Sequence, residues 1–115
     1  MFNKDTEYAV IIIRELKLKQ LNGDGTTRLS DIVASKNIKQ GFAEQVCRRL
    51  KSGGLIKSVK GPGGGYEITD EGTNSNLMDI MKIAEPRLTK KVEKLLPESV
   101  SLFEKYEKKM KQVYI

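Results

Sequence analysis

Apolar residues recur with a helical period along the first part of the chain. Tyr8, Ala9, Ile12, Ile13 and Leu16 fall at i, i+3 and i+4 spacing, which predicts an amphipathic helix over about residues 6–20. The run Ile11-Ile12-Ile13 alone would suit a strand, but its polar flanks and the length of the periodic segment favour helix. Asn22-Gly23-Asp24-Gly25 then breaks the chain into a turn. Leu29, Ile32 and Val33 mark a second, short helix ending near Ser35, with Asn37 as its left-handed exit. In the third helix, between Lys39 and Lys51, Ala43, Val46, Cys47 and Leu50 form one apolar stripe at i, i+3, i+4 and i+7. The opposite face carries Gly41, Glu44, Gln45 and Arg48, with Lys51 and Ser52 near its end, and Gly53-Gly54 closes the helix.

Strand character follows. Leu55 to Val59 reads as one strand and Tyr66-Glu67-Ile68 as its return. Between them, Lys60-Gly61-Pro62-Gly63-Gly64-Gly65 is too long for a two-residue hairpin turn and makes an open, glycine-rich loop. Farther on, Asn76 can cap a helix containing Leu77, Ile80, Met81 and Ala84, and Pro86 and Pro97 each suit the first turn of a new helix. Phe103, Tyr106, Met110 and Val113 are spaced 3, 4 and 3 among charged neighbours, a narrow seam of the coiled-coil kind. Such a helix needs a partner. A second subunit is favoured over the chain's own domain, with Leu95, Phe103, Tyr106, Met110 and Val113 as the dimerisation candidates. The order of elements predicts a mainly α fold with a small antiparallel β wing. Residues 1–70 would form a winged helix-turn-helix and residues 71–115 a helical dimerisation arm.

Charge sharpens the picture. The net charge is +6 over 115 residues. Lys39, Arg48, Arg49, Lys51, Lys57 and Lys60 oppose a single acid, Glu44, between residues 39 and 60, whereas acids and bases nearly balance from Glu71 onward. A basic excess centred on the third helix and the wing suits a polyanion such as DNA. By chemistry, Glu44 can accept from cytosine N4, Gln45 can pair with adenine, and Arg48 can reach guanine or phosphate. Lys57 and Lys60 can supply phosphate or minor-groove charge.

Other classes are disfavoured. A phosphate cradle at the glycine loop would need a helix directly after it, and the following residues read as strand. The chain has no histidine, no metal-ligand cluster and no nucleophile–base pair, so an enzyme is not expected. No apolar run approaches the roughly 20 residues of a membrane span, and the N-terminus makes a poor signal peptide, so a cytoplasmic protein is expected. Cys47, the single cysteine, agrees with a reducing compartment. Arg48 and Arg49 beside it could lower its pKa and make it a redox switch, but its register with the apolar stripe reads as a buried, inert thiol.

At the third helix and wing the chain resembles the Rrf-two family of transcription regulators. The residues that carry the likeness are Tyr8-Ala9, the stretch Ile38 to Leu50, and above all Gly54 to Tyr66 with its Lys-Gly-Pro-Gly-Gly-Gly-Tyr core; a lesser likeness runs through Asn76 to Ala84. The resemblance spans about residues 1–86. It implies a homodimer on a roughly palindromic operator in double-stranded DNA, with third helices in adjacent major grooves and wings at the minor grooves. By position it places Gln40, Gly41, Glu44 and Gln45 at bases and backbone, and Lys60, Gly61 and Pro62 where the wing reaches DNA. With Arg28, Lys39, Arg48, Arg49, Lys57, Ser58 and Gly63, these form the expected DNA-binding set. Iron–sulfur members hold their cluster with three cysteines beyond the helix after the wing. No cysteine lies beyond Ala84 here, so neither a cluster nor any other cofactor is expected. Glu7, at a position where some members place an acidic ligand, then reads as an ordinary helix-start acid. Repression by promoter occupancy is the expected mechanism, with an unknown protein or small molecule as a conceivable effector. Nonspecific DNA binding and a protein-binding winged helix stay open as rivals.

Overall fold

A computed structural model describes residues 3–88 and 97–115. Helix α1 (Lys4–Leu21) begins where the Asn3 side chain accepts from Thr6 N at 3.1 Å, with Asp5 and Glu7 in the first turn, where the helix dipole favours acids. Helix α2 (Leu29–Lys36) ends at Asn37, whose φ of 52° and ψ of 48° are the left-handed exit expected from its residue type. Helix α3 (Gln40–Ser52) leads into strand β1 (Ile56–Val59), which pairs antiparallel with β2 (Gly65–Ile68) in the register Ile56 to Ile68 and Val59 to Gly65. Helix α5 (Leu77–Ala84) starts with a full capping box between Asn76 and Asp79. Helix α6 (Pro97–Met110) opens on Pro97.

Three features lie outside the sequence expectation. A single turn, α4 (Asp70–Thr73), capped by Thr69, separates wing from α5. Thr27 bridges Tyr66 through two backbone hydrogen bonds of 2.9 and 2.7 Å, which adds an edge to the wing and brings neighbouring Arg28 to its base. The C-terminal tail folds back, so that Leu77 N donates to Val113 O at 2.7 Å and Tyr114 bridges Asn76.

One core joins these elements. Ala9 and Ile12 of α1, Ala43, Val46, Cys47 and Leu50 of α3, and Ile80 and Ala84 of α5 have no accessible surface. Leu55, Ile56 and Ile68 close the end nearest the wing. Helix α5, on the arm side of the boundary expected at residue 70, thus contributes to the same core as α1 and α3. Burying a side chain such as Leu50 stabilises the fold by about 1.5–3 kcal/mol. Among the described residues, no helix is long and apolar enough to cross a membrane.

Candidate nucleic-acid interface

Helix α3 divides cleanly. With its apolar stripe enclosed, the face left to solvent is Gln40, Gly41, Glu44, Gln45 and Arg48, all exposed, with exposed Lys39 just before the helix. Gln40 Nε2 donates to Glu44 Oε1 at 3.0 Å, one turn apart, so two of the expected base readers already hold one another. Gly41 is in the first turn, where a Cβ would meet nothing within 4 Å. Nothing inside the chain requires glycine there.

The wing lies against this helix. Tyr66 of β2 is half-buried, and its phenol is pushed above the usual range chiefly by burial, with Cys47 and Glu44 adding to the shift and Arg48 opposing it. Strand β1 packs against α3, and β2 against α1. The wing loop exposes Lys60, Gly61, Pro62 and Gly63, and Gly64 N donates to Gly61 O at 2.8 Å to close its turn. Gly61 and Gly63 take φ of 99° and 75°, which side-chain-bearing residues rarely adopt. Ser58 is exposed on β1 opposite Tyr66.

Two residues of the expected set also have partners inside the chain. Arg49 follows Arg48 by about 100° around the helix, and its Nη1 donates to Asp5 Oδ1 at 2.9 Å and to Ala84 O at 3.0 Å. Its place is between α1, α3 and α5, away from the Gln40–Arg48 face. Lys57 pairs across the wing with Glu67 at 3.7 Å, and Glu67 also accepts from Thr26 Oγ1 at 2.7 Å. Lys57 stays largely exposed but shares its charge with an acid. Tyr8 and Phe42, not foreseen as parts of the site, sit beneath its leading edge: Lys39 N donates to Tyr8 Oη at 3.0 Å, and the two rings meet edge to face at 4.8 Å.

Cys47 is fully buried and its thiol is pushed up to about 12, by burial first and by Glu44 second. Neither neighbouring arginine is among the causes of that shift. Arg49 is turned to Asp5, and burial dominates. Burial of this kind suits the packing group that its place in the apolar stripe led us to expect.

The expected dimerisation seam is split. Leu95 lies outside the described residues. Phe103 and Met110 are half-buried on the side of α6 that also carries Glu107, whose carboxylate meets Lys82 of α5 at 3.4 Å. Burial pushes Glu107 upward, but hydrogen bonds and charge from Lys82 and Lys111 outweigh it and hold the carboxyl below its usual range. Tyr106 is half exposed on a different side, near the exposed Leu102. Val113 is past the end of the helix, in the folded-back tail, because the chain turns at Lys111–Gln112.

The metal question rests on the donor set. The chain has one cysteine, buried in α3, and no histidine. Among the described residues no three His, Cys, Asp or Glu side chains are grouped to hold an ion. These residues do not fit an iron–sulfur cluster.

Comparison with known proteins agrees with this geometry. The family model for Rrf2, described as an iron-dependent transcriptional regulator, matches residues 2–113. The HTH-type transcriptional regulator IscR of Cereibacter sphaeroides is 30% identical over 78 residues, 68% of this chain and 50% of the relative. CymR of Bacillus subtilis is 33% identical over 78 residues, 68% of this chain and 55% of that protein. The chain therefore spans about half the length of the curated relatives it matches. Among solved structures, that of B. subtilis CymR, titled the global cysteine regulator, superposes with a TM-score of 0.75 at 27% identity, covering 99% of this chain and 88% of the other. The fold is also that of T. potens IscR, with a TM-score of 0.78 at 24% identity, covering 99% and 82%. A winged helix-turn-helix with this match along nearly its whole length places the chain in the Rrf2 family of transcriptional regulators, a family of regulators and not of enzymes.

Proposed function

We propose that this chain is a sequence-specific DNA-binding repressor that acts as a homodimer on a palindromic operator and carries no iron–sulfur cluster. The observation that carries the reading is the two-sided α3: its apolar stripe is wholly enclosed while Gln40, Glu44, Gln45 and Arg48 face solvent beside a basic wing. Hydrogen-bonding side chains of this kind, presented on a rigid helix, suit the major groove, where each base pair shows a distinct donor and acceptor pattern. Lys39, Lys60 and Arg28 flank that face and suit phosphates, which position the protein without specifying sequence. Lys57 contributes less, given its pairing with Glu67.

The cluster-free part rests on the missing donors. Soft thiolate ligation needs cysteines that the chain lacks. The dimer rests on α6, whose Leu102 and Tyr106 are 55% and 50% exposed and would be covered by the same face of a second copy. The division between DNA-reading head and dimerisation arm then falls after α5, since Ile80 and Ala84 belong to the head's core.

Selection of bound duplexes from a random pool tests the reading. An enriched two-fold motif with half-sites one helical turn apart, about 10–10.5 base pairs, is the expected result. No enriched motif, with binding that vanishes as salt rises, favours a nonspecific binder; no binding at low salt favours a protein-interaction module. The arm is tested separately by sedimentation, where the double change Leu102→Asp and Tyr106→Asp is expected to leave a folded monomer.

A further inference from the structure

We propose that Tyr8 is a positioning residue for DNA reading: its phenol oxygen, 31 residues away in sequence, fixes the start of the recognition helix. The inference rests on the DNA-binding role proposed above.

Helix α3 starts without a cap of its own. Its N-cap residue, Lys39, makes no side-chain capping bond, whereas α1, α4 and α5 are capped by the side chains of Asn3, Thr69 and Asn76. In a capping box the third helical residue reaches back to the N-cap amide, as Asp79 does for α5. In α3 that position is Phe42, which has no acceptor to offer. Tyr8 of α1 takes over the task, accepting from Lys39 N at 3.0 Å. Phe42 contributes instead its ring, which meets the Tyr8 ring edge to face at 4.8 Å and 76°. Tyr8 is 8% exposed, so the core fixes its ring and its hydroxyl is a stationary acceptor.

The same helix holds α3 a second time. Asp5, one turn before Tyr8, takes Arg49, which also donates to the last carbonyl of α5, Ala84. Two tethers from α1, at Lys39 and at Arg49, are ten residues apart on α3, about 15 Å along its axis. They fix the tilt of the reading face on the core. The first tether is directly before Gln40, Gly41 and Glu44, the residues that would enter the groove first. A small displacement there moves the donors and acceptors of Gln40 and Glu44 out of register with base edges, while phosphate contacts from flexible lysines can follow.

Tyr8→Phe removes the acceptor and keeps the ring. The expected result is an unchanged fold by circular dichroism, affinity for the selected operator lower by about 5-fold or more, and relaxed preference at the bases read by Gln40 and Glu44. The salt dependence should stay that of the parent, because no phosphate contact is lost. A merely structural role would leave base preference untouched. In the free protein, amide exchange at Lys39 should accelerate about 10-fold, with the amides of Val46 and Leu50 unchanged. Parent-like operator preference or a parent-like Lys39 exchange rate in Tyr8→Phe overturns the proposal. If the parent protein selects no motif, the DNA reading fails first, and the exchange measurement alone then decides whether Tyr8 anchors the helix.

Discussion

Helices α3 and α6 are both amphipathic, both rich in lysine or arginine, and similar in length, yet the chain treats them in opposite ways. Helix α3 gives its whole apolar stripe to the core and turns only polar side chains outward. Helix α6 meets α5 through one exposed ion pair, keeps Phe103 and Met110 only half-buried, and leaves Leu102 and Tyr106 to solvent. Exposed ion pairs contribute only about 0–1 kcal/mol. The contrast separates two meanings of amphipathicity. In α3 the apolar side is spent on stability and the polar side is free to recognise. In α6 part of the apolar side stays open to solvent, and in the dimer proposed above that part would be the surface that recognises.

The comparison breaks most visibly in stability. Leu50→Ala should lower unfolding free energy by about 2–5 kcal/mol in urea titrations, through the cavity it leaves. Tyr106→Ala should cost no more than about 0.5 kcal/mol at concentrations where the protein is monomeric. Equal costs would mean that α6 is packed as tightly as α3. Next in size is Arg48→Ala, expected to weaken operator binding by about 1–3 kcal/mol and relax base preference at one position, with stability changed by less than about 0.5 kcal/mol. Lys60→Ala in the wing should instead weaken all sequences alike and reduce the salt slope by about 1.

A smaller effect reports on the buried side of α3. The Cys47 thiol ionises near 9.0 when exposed and near 12 in the fold. A raised folded value means its contribution is intact below pH 9 and lost as pH rises from there toward 12, amounting to about 1 kcal/mol by pH 10. Cys47→Ala should flatten that alkaline decline, and the native thiol should resist disulfide reagents at neutral pH. The smallest effect has the most informative sign. Gly41→Ala should raise stability by about 0.5 kcal/mol, since alanine favours helix and its Cβ meets open space, while weakening DNA binding. A variant that gains in both, or loses in both, removes the case for close approach at Gly41.

Much of the head was legible because each of its elements obeys a local rule. Apolar spacing located α1 and α3, Asn37 marked a left-handed exit, Asn76 marked a helix cap, and the glycine-rich loop separated two strands. What local rules did not announce are partners set by the tertiary fold. Arg49 is adjacent to Arg48 in sequence and equally basic, but one helical step turns it to Asp5 and Ala84. The Tyr8 spacing announces a buried ring and is silent about its hydroxyl, whose partner is 31 residues away. Thr27 pairs with Tyr66 across a whole helix-turn-helix, beyond any local pattern. Val113 continues the 3-4-3 seam in sequence, yet with no glycine or proline to warn of it the chain leaves the helix at Met110 and folds back on Leu77. Periodicity reports which side of a residue is apolar. It does not report which part of the chain will cover that side.

The most direct measurement is the affinity of the purified protein for its selected operator against a scrambled duplex of equal length, at physiological salt. A DNA-reading α3 requires a preference of at least about 10³-fold. A ratio near one, with both affinities falling together as salt rises, would contradict it.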